Sequence, residues 1–301
     1  MEYRILGRTG LSVGEISLGT SQTFRVAAKE DEGRCVRIVH EAIERGINFF
    51  DTAPSYWESE CVLGRALEGR RDKAVIATKV NADGAEAARE SIERSFDNLR
   101  TDVIDLLQIH SMKSWREVTP VIQEYQRQGR IRFIGLTESN PENYPKVLEA
   151  MRTGIYDTVQ ILYSLAERTC CEELLALARE MNIGVIALRV ILNLLAERIP
   201  LRPDMAVNSG QKPKKKGVRE RLLEAWDQGK LSFLEKYGVE TPGQALLKYV
   251  LSHSAVSTII VATGKVERIA ENAAASEGHA LPPEARAWLE QLCMANPQGE
   301  L

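Results

Sequence analysis

The sequence predicts an α/β fold: a (β/α)8 TIM barrel preceded by a β-hairpin, with an extended loop and helix insertion between barrel strands seven and eight. Three observations point there. Short apolar runs alternate with amphipathic stretches of helical period. The runs are continuous rather than alternating, as strands buried on both faces require. Through the seventh they recur at roughly the length of one βα unit, about 30 residues. An open doubly wound sheet is the competing architecture. It usually carries a glycine-rich phosphate turn after its first strand, and SLGTSQTF at 17–24 does not fit GxGxxG.

The eight strand-like runs lie at 15–18, 48–50, 74–78, 104–109, 131–136, 158–161, 184–188 and 258–261. Helical periodicity marks 33–45, 85–99, 115–128 and 172–181. Ahead of the first barrel strand, YRILGRTGLSVG holds two short runs joined by a Gly-Arg-Thr-Gly turn, which predicts a hairpin able to plug the bottom of the barrel. The interval between strands seven and eight exceeds the others by roughly 40 residues. It contains the polar segment RPDMAVNSGQKPKKKGVR at 202–219, then amphipathic helical sequence. Residues 1–301 read as one domain, since α/β barrels of roughly 250 residues are routinely single.

A chain of 301 residues, 44% of them hydrophobic, buries enough apolar surface to need no disulfide or metal staple. A net charge of −3 gives no global attraction to nucleic acid or anionic membrane. No apolar run approaches the roughly 20 residues that span a bilayer, and the charged opening MEYRILGRTGLS lacks a signal-peptide core. The five cysteines (Cys35, Cys61, Cys170, Cys171 and Cys293) show no metal-ligand spacing and read as reduced thiols of a cytoplasmic protein.

Four polar residues stand at or just beyond the ends of successive strands: Asp51 and Tyr56 in NFFDTAPSY, Lys79 in AVIATKV and His110 in IDLLQIH. A parallel barrel gathers its chemistry at the C-terminal ends of its strands, so the four would converge. Singly, each has a bland reading: Asp51 a turn cap, Tyr56 a half-buried loop aromatic, Lys79 a solvated strand end, His110 a histidine without a metal partner. Jointly they suit carbonyl reduction, which needs hydride at carbon and a proton at oxygen. A phenol is a poor acid at neutral pH, and a neighbouring ammonium makes it a better one. Asp51 would hold Lys79 charged, and neutral His110 would orient the carbonyl oxygen, leaving Tyr56 as general acid. Phe24, Trp57 and Met112 are candidate walls of the substrate pocket, together with Tyr56 and His110.

The sequence resembles the aldo-keto reductases over nearly its whole length. NFFDTAPSY followed by SExxLG (Ser59 to Gly64) carries the resemblance, and IDLLQIH, RFIGLT, the opening YRILGRTGLSV and SLGT also match. The resemblance implies a (β/α)8 barrel, an NAD(P)H-dependent oxidoreductase, and Asp51, Tyr56, Lys79 and His110 as its catalytic tetrad. It sets Gly19, Thr20, Thr137, Glu138, Gln160, Leu188 and Arg189 around the nicotinamide. Many relatives have Ser-Asn where this chain has Thr137 and Glu138, so Ser139 and Asn140 are candidates to compensate. Relatives commonly have glycine at the position of Trp57.

After strand eight, the family's adenine-ribose motif maps onto Thr263, Gly264, Lys265, Arg268, Glu271 and Asn272, in the loop and helix start where barrels hold phosphate. Arg268 and Lys265 as phosphate partners favour NADP(H), with NAD(H) the alternative. The partners expected are a small carbonyl or alcohol substrate, with no nucleic acid and no membrane. Two other functions compete: a cofactor-binding redox sensor with little turnover, and a Schiff-base lyase using Lys79 as nucleophile. KPKKK at 212–216 reads as a solvated loop, a nucleic-acid patch or a flap over the cofactor pyrophosphate. The oligomeric state and the identity of the carbonyl are not written in these features.

Overall fold

The computed structural model describes residues 1–21, 23–24, 29–168, 171–191 and 216–294. Strands β1 (Tyr3–Ile5) and β2 (Ser12–Gly14) pair antiparallel, Tyr3 opposite Gly14, around a short helical turn at Gly7–Thr9. Eight parallel strands follow: β3 (Ile16–Gly19), β4 (Phe49–Asp51), β5 (Val75–Val80), β6 (Ile104–Ile109), β7 (Ile131–Glu138), β8 (Thr158–Leu162), β9 (Gly184–Leu188) and β10 (Val256–Val261). They close in chain order, with β10 pairing both β9 and β3. Closure leaves no unpaired strand edge. The barrel and its hairpin are therefore as the sequence predicts.

Helices return the chain between strands: α1 (Lys29–Glu44), α2 (Ser59–Ala66), α3 (Ala85–Leu99), α4 (Trp115–Arg127), α5 (Tyr144–Arg152) and α6 (Glu172–Glu180). The described part of the long insertion holds α7 (Lys216–Asp227) and α8 (Pro242–Leu251). Thr241 starts α8 with a capping box to Gln244, and Pro242 occupies the first turn, where its missing N–H costs nothing. After β10 come α9 (Glu267–Ala274) and α10 (Pro283–Met294). Most of KPKKK lies outside the described residues.

Strand alternation divides the core in two. Phe50, Ile76, Leu107 and Ile134 point outward into the layer shared with the helices. Phe49, Ala77, Leu106 and Ile186 point inward and pack with Leu6 and Val13 of the hairpin region, all fully buried. The hairpin thus closes the lower end of the barrel with apolar side chains. One step of two residues further along the same inward faces lie Asp51, Lys79 and Gln108, so the upper layer is polar.

Candidate active site

The strand register carries these side chains to one level. Asp51 pairs with Ala77 across β4 and β5, and Lys79 pairs with Gln108 across β5 and β6. The Lys79 ammonium, 1% exposed, donates to Asp51 Oδ1 at 2.6 Å and to the Thr52 carbonyl at 2.8 Å. It lies 5.1 Å from the centre of the Tyr56 ring. Burial works against the charged lysine, but the Asp51 carboxylate and the Tyr56 hydroxyl outweigh it and hold Lys79 above the ordinary lysine value. The Tyr56 and His110 rings meet edge to face, centroids 5.7 Å apart. Burial, then the Lys79 charge, pushes His110 down to about 3, so its imidazole is neutral at physiological pH. All four candidates converge.

Gln108, which sequence reasoning missed, donates through Nε2 to Asp51 Oδ2 at 3.2 Å and so fixes the second carboxylate oxygen. Its signal was a polar residue two before His110 near the end of a mostly apolar strand, hence on the same face. Gly135 makes room for it: a Cβ there would sit 2.4 Å from Thr158 Oγ1 and 2.9 Å from Gln108 Cγ.

SExxLG also acquires a physical meaning. Ser59 donates to Thr20 Oγ1 at 2.5 Å and lies 3.0 Å from Thr52 Oγ1, while Thr20 Oγ1 donates to the Asp51 carbonyl. Buried Glu60 accepts from Thr78 at 2.6 Å and from Asn98 at 3.2 Å. Gly64 lets α2 approach α3, since a Cβ would meet Asn98 O at 2.5 Å. The motif therefore locks α2 against the strands that present Asp51 and Lys79.

The nicotinamide candidates are split by strand alternation. Gly19, Thr137, Gln160 and Leu188 share the inward face with the tetrad, and Thr137 pairs with Gln160. The amide oxygens of Gln160 and Gln108 are buried without a hydrogen-bond partner among the described residues. Such orphaned acceptors inside the polar mouth suit a ligand that brings donors, as a carboxamide does. Glu138 faces outward, and its oxygens accept from the Asn140 N–H at 2.8 Å and Asn143 Nδ2 at 3.0 Å. Asn140, weighed as its substitute, instead accepts from the Glu142 N–H. Thr20 spends its hydroxyl on the Asp51 carbonyl, and Arg189 is exposed with φ +59°.

Beyond β10, Thr263 Oγ1 accepts from the Lys265 N–H at 3.1 Å, shaping the loop that enters α9. Arg34 of α1 clamps that loop by donating to the Gly264 carbonyl at 3.1 Å, a contact no sequence motif announced. Arg268 pairs with Glu271 at 3.2 Å, Glu271 also accepts from Thr241, and Asn272 is buried. Of the expected substrate walls, Phe24 and Met112 are 0% and 2% exposed and pack in the apolar core. Trp57 is 54% exposed at the mouth, with a left-handed φ of +53°.

Among the described residues, Cys35 and Cys61 are free thiols, and no acid, histidine and cysteine cluster could hold a metal. No described helix is long and apolar enough to cross a membrane.

The chain is 30% identical over 295 residues to L-galactose dehydrogenase of Arabidopsis thaliana, covering 91% of this chain and 88% of that one. It superposes with a TM-score of 0.76 on a Klebsiella pneumoniae aldo-keto reductase in complex with NADPH, at 24% identity, covering 99% of this chain and 97% of the other. The holo form of aldo-keto reductase AKR11C1 from Bacillus halodurans gives the same TM-score at 25% identity, covering 97% and 96%. The model of the Aldo/keto reductase family matches residues 15–292, and the chain belongs to that family.

Proposed function

We propose that this protein is an NADP(H)-dependent oxidoreductase that interconverts an aldehyde or ketone and its alcohol, with Tyr56 as the proton donor. The observation that carries the reading is the buried Lys79 ammonium, held by Asp51 at 2.6 Å and set 5.1 Å from the Tyr56 ring centre. The bound nicotinamide supplies hydride to the carbonyl carbon. The Tyr56 hydroxyl gives its proton to the carbonyl oxygen, and the charge left on the phenol faces the Lys79 ammonium. Asp51 and Gln108 keep that ammonium charged and in place. His110, neutral beside Lys79, hydrogen-bonds the carbonyl oxygen without competing as an acid. In the reverse direction the phenolate takes the alcohol proton.

Gly19, Thr137, Gln160 and Leu188 would receive the nicotinamide, Lys265 and Arg268 the 2′-phosphate, and Glu271 and Asn272 the adenine. Arg268 would then exchange Glu271 for phosphate. Substrate contact falls to Tyr56, His110 and Trp57. The NADPH complex of the Klebsiella protein supports the cofactor, and the Arabidopsis relative directs attention to polyhydroxylated substrates.

The test is NADPH oxidation with a panel of aromatic, aliphatic and sugar aldehydes, and NADP+ reduction with the alcohols, L-galactose included. Cofactor-dependent turnover of at least one class is the expected result. Tight NADPH binding with no turnover across the panel would reject the reading in favour of a sensor.

A further inference from the structure

A second cavity, of about 530 Å3, opens between α6, α8 and α10, and shares no lining residue with the catalytic or cofactor candidates. Other arginines of this protein meet carboxylates closely: Arg130 pairs with Glu93, Arg89 with Glu124, both at 2.6 Å, and Arg71 with Asp105 at 2.7 Å. The two that face this cavity from α10 and α6 meet none among the described residues. Arg286 donates to Tyr163 Oη at 3.2 Å and to the Ser252 carbonyl at 3.4 Å, both long, and its Nε is buried with no acceptor among the described residues. Arg179 donates, among the described residues, only to Ser254 Oγ, at 3.4 Å. Two carboxylates line the cavity: Glu290 is already engaged by the Tyr249 hydroxyl at 2.5 Å and by Arg168 at 3.8 Å, and Glu172, at the start of α6, is exposed to solvent.

The walls between these cations are flat and aromatic. The Arg286 guanidinium lies 4.9 Å from the Tyr249 ring centre, and Tyr163 meets His253 edge to face at 5.5 Å. Burial, then the charges of Arg286 and Arg179, pushes His253 down to about 4, so its imidazole is neutral at neutral pH; the third cation lining the cavity, Arg168, faces Glu290 at 3.8 Å. A guanidinium short of acceptors matches the paired oxygens of a carboxylate or phosphate, and a tyrosine face accepts a planar apolar group.

We propose that this cavity is a second binding site, for a small anion of the carboxylate or phosphate-monoester type borne on a flat apolar body. Its head lies against Arg286 and Arg179 and its body against Tyr163 and Tyr249. The site stands independently of the carbonyl chemistry.

The experiment follows the histidine ring protons of the full-length protein by NMR, titrated with phenyl phosphate, benzoate and inorganic phosphate. An anion beside Arg286 and Arg179 offsets their charge, so the His253 midpoint should rise by about one unit with phenyl phosphate or benzoate, while His110 stays put. The tighter of the two names the head group. Arg286→Gln should weaken binding about tenfold or more. Arg179→Gln, at an exposed position, provides the same loss without threatening the fold. A response of equal strength to inorganic phosphate would overturn the flat-body part of the proposal. No shift at millimolar ligand, or a shift that survives both substitutions, would overturn the site itself.

Discussion

The lower and upper layers of the barrel interior are built by the same strands and by side chains only two positions apart, yet they obey opposite rules. In the lower layer Phe49, Ala77 and Leu106 close on Leu6 and Val13 of the hairpin region, and every group there gains from leaving water. In the upper layer Asp51, Lys79 and Gln108 bury a carboxylate, an ammonium and an amide, which is tolerated only because each is held by the others. The lower end secures the cylinder; the upper end uses that rigidity to keep a charge where folding alone would not put one. Substitutions in the two layers should therefore separate stability from chemistry.

The largest combined effect belongs to Lys79→Met. It leaves Asp51 buried without its cation, so stability should fall by about 3–5 kcal/mol and turnover by about two orders of magnitude or more. Denaturant unfolding and steady-state kinetics on one preparation read both; a fully stable, fully active variant would dissolve the distinction between the layers. Next is Leu6→Ala in the lower layer, expected to cost about 2–5 kcal/mol through the cavity it leaves, with kcat unchanged below the melting transition. A kcat loss as large as that of Lys79→Met would mean the plug shapes the chemistry.

Gln108→Ala removes the donor to Asp51 Oδ2 and should cost about 1–3 kcal/mol, with a lower kcat and an unaltered cofactor affinity. A weakened cofactor affinity with normal kcat would make Gln108 a ligand group instead.

The smallest effects concern the rim. Trp57 holds φ +53° and is 54% exposed, so Trp57→Gly should raise stability by about 1 kcal/mol by relieving a left-handed backbone. A lowered melting temperature would show that its packing outweighs the strain. His110 should not titrate between pH 5 and 8, because burial and Lys79 hold it near 3. The unfolded chain binds that proton below about 6.5 while the folded one does not, so this residue lowers stability as pH falls from about 6.5 toward 3. An NMR midpoint near the ordinary histidine value would contradict the assigned environment.

Much of this was legible in the residues because strands buried on both faces announce themselves as apolar runs, and their C-terminal ends mark where a barrel works. Asp51, Tyr56, Lys79 and His110 could be found that way. The direction of Glu138 was not legible because facing depends on parity: it follows inward Thr137 and so turns outward to the Asn140–Asn143 turn. Gln108 needed the register between β5 and β6 before its bond to Asp51 could be seen. Phe24 and Met112 follow strand ends, as wall residues do, and their burial in the apolar core could be seen only in the folded chain. Arg34 reaches the Gly264 loop across 230 residues of sequence, a contact that only closure of the barrel creates.

The decisive measurement pairs chemistry with binding in Tyr56→Phe: single-turnover NADPH oxidation with an accepted aldehyde, beside NADPH affinity by fluorescence. Removing the hydroxyl while keeping the ring should slow turnover by about two to four orders of magnitude and leave the NADPH dissociation constant within about twofold. Undiminished turnover would contradict the assignment of the proton to Tyr56.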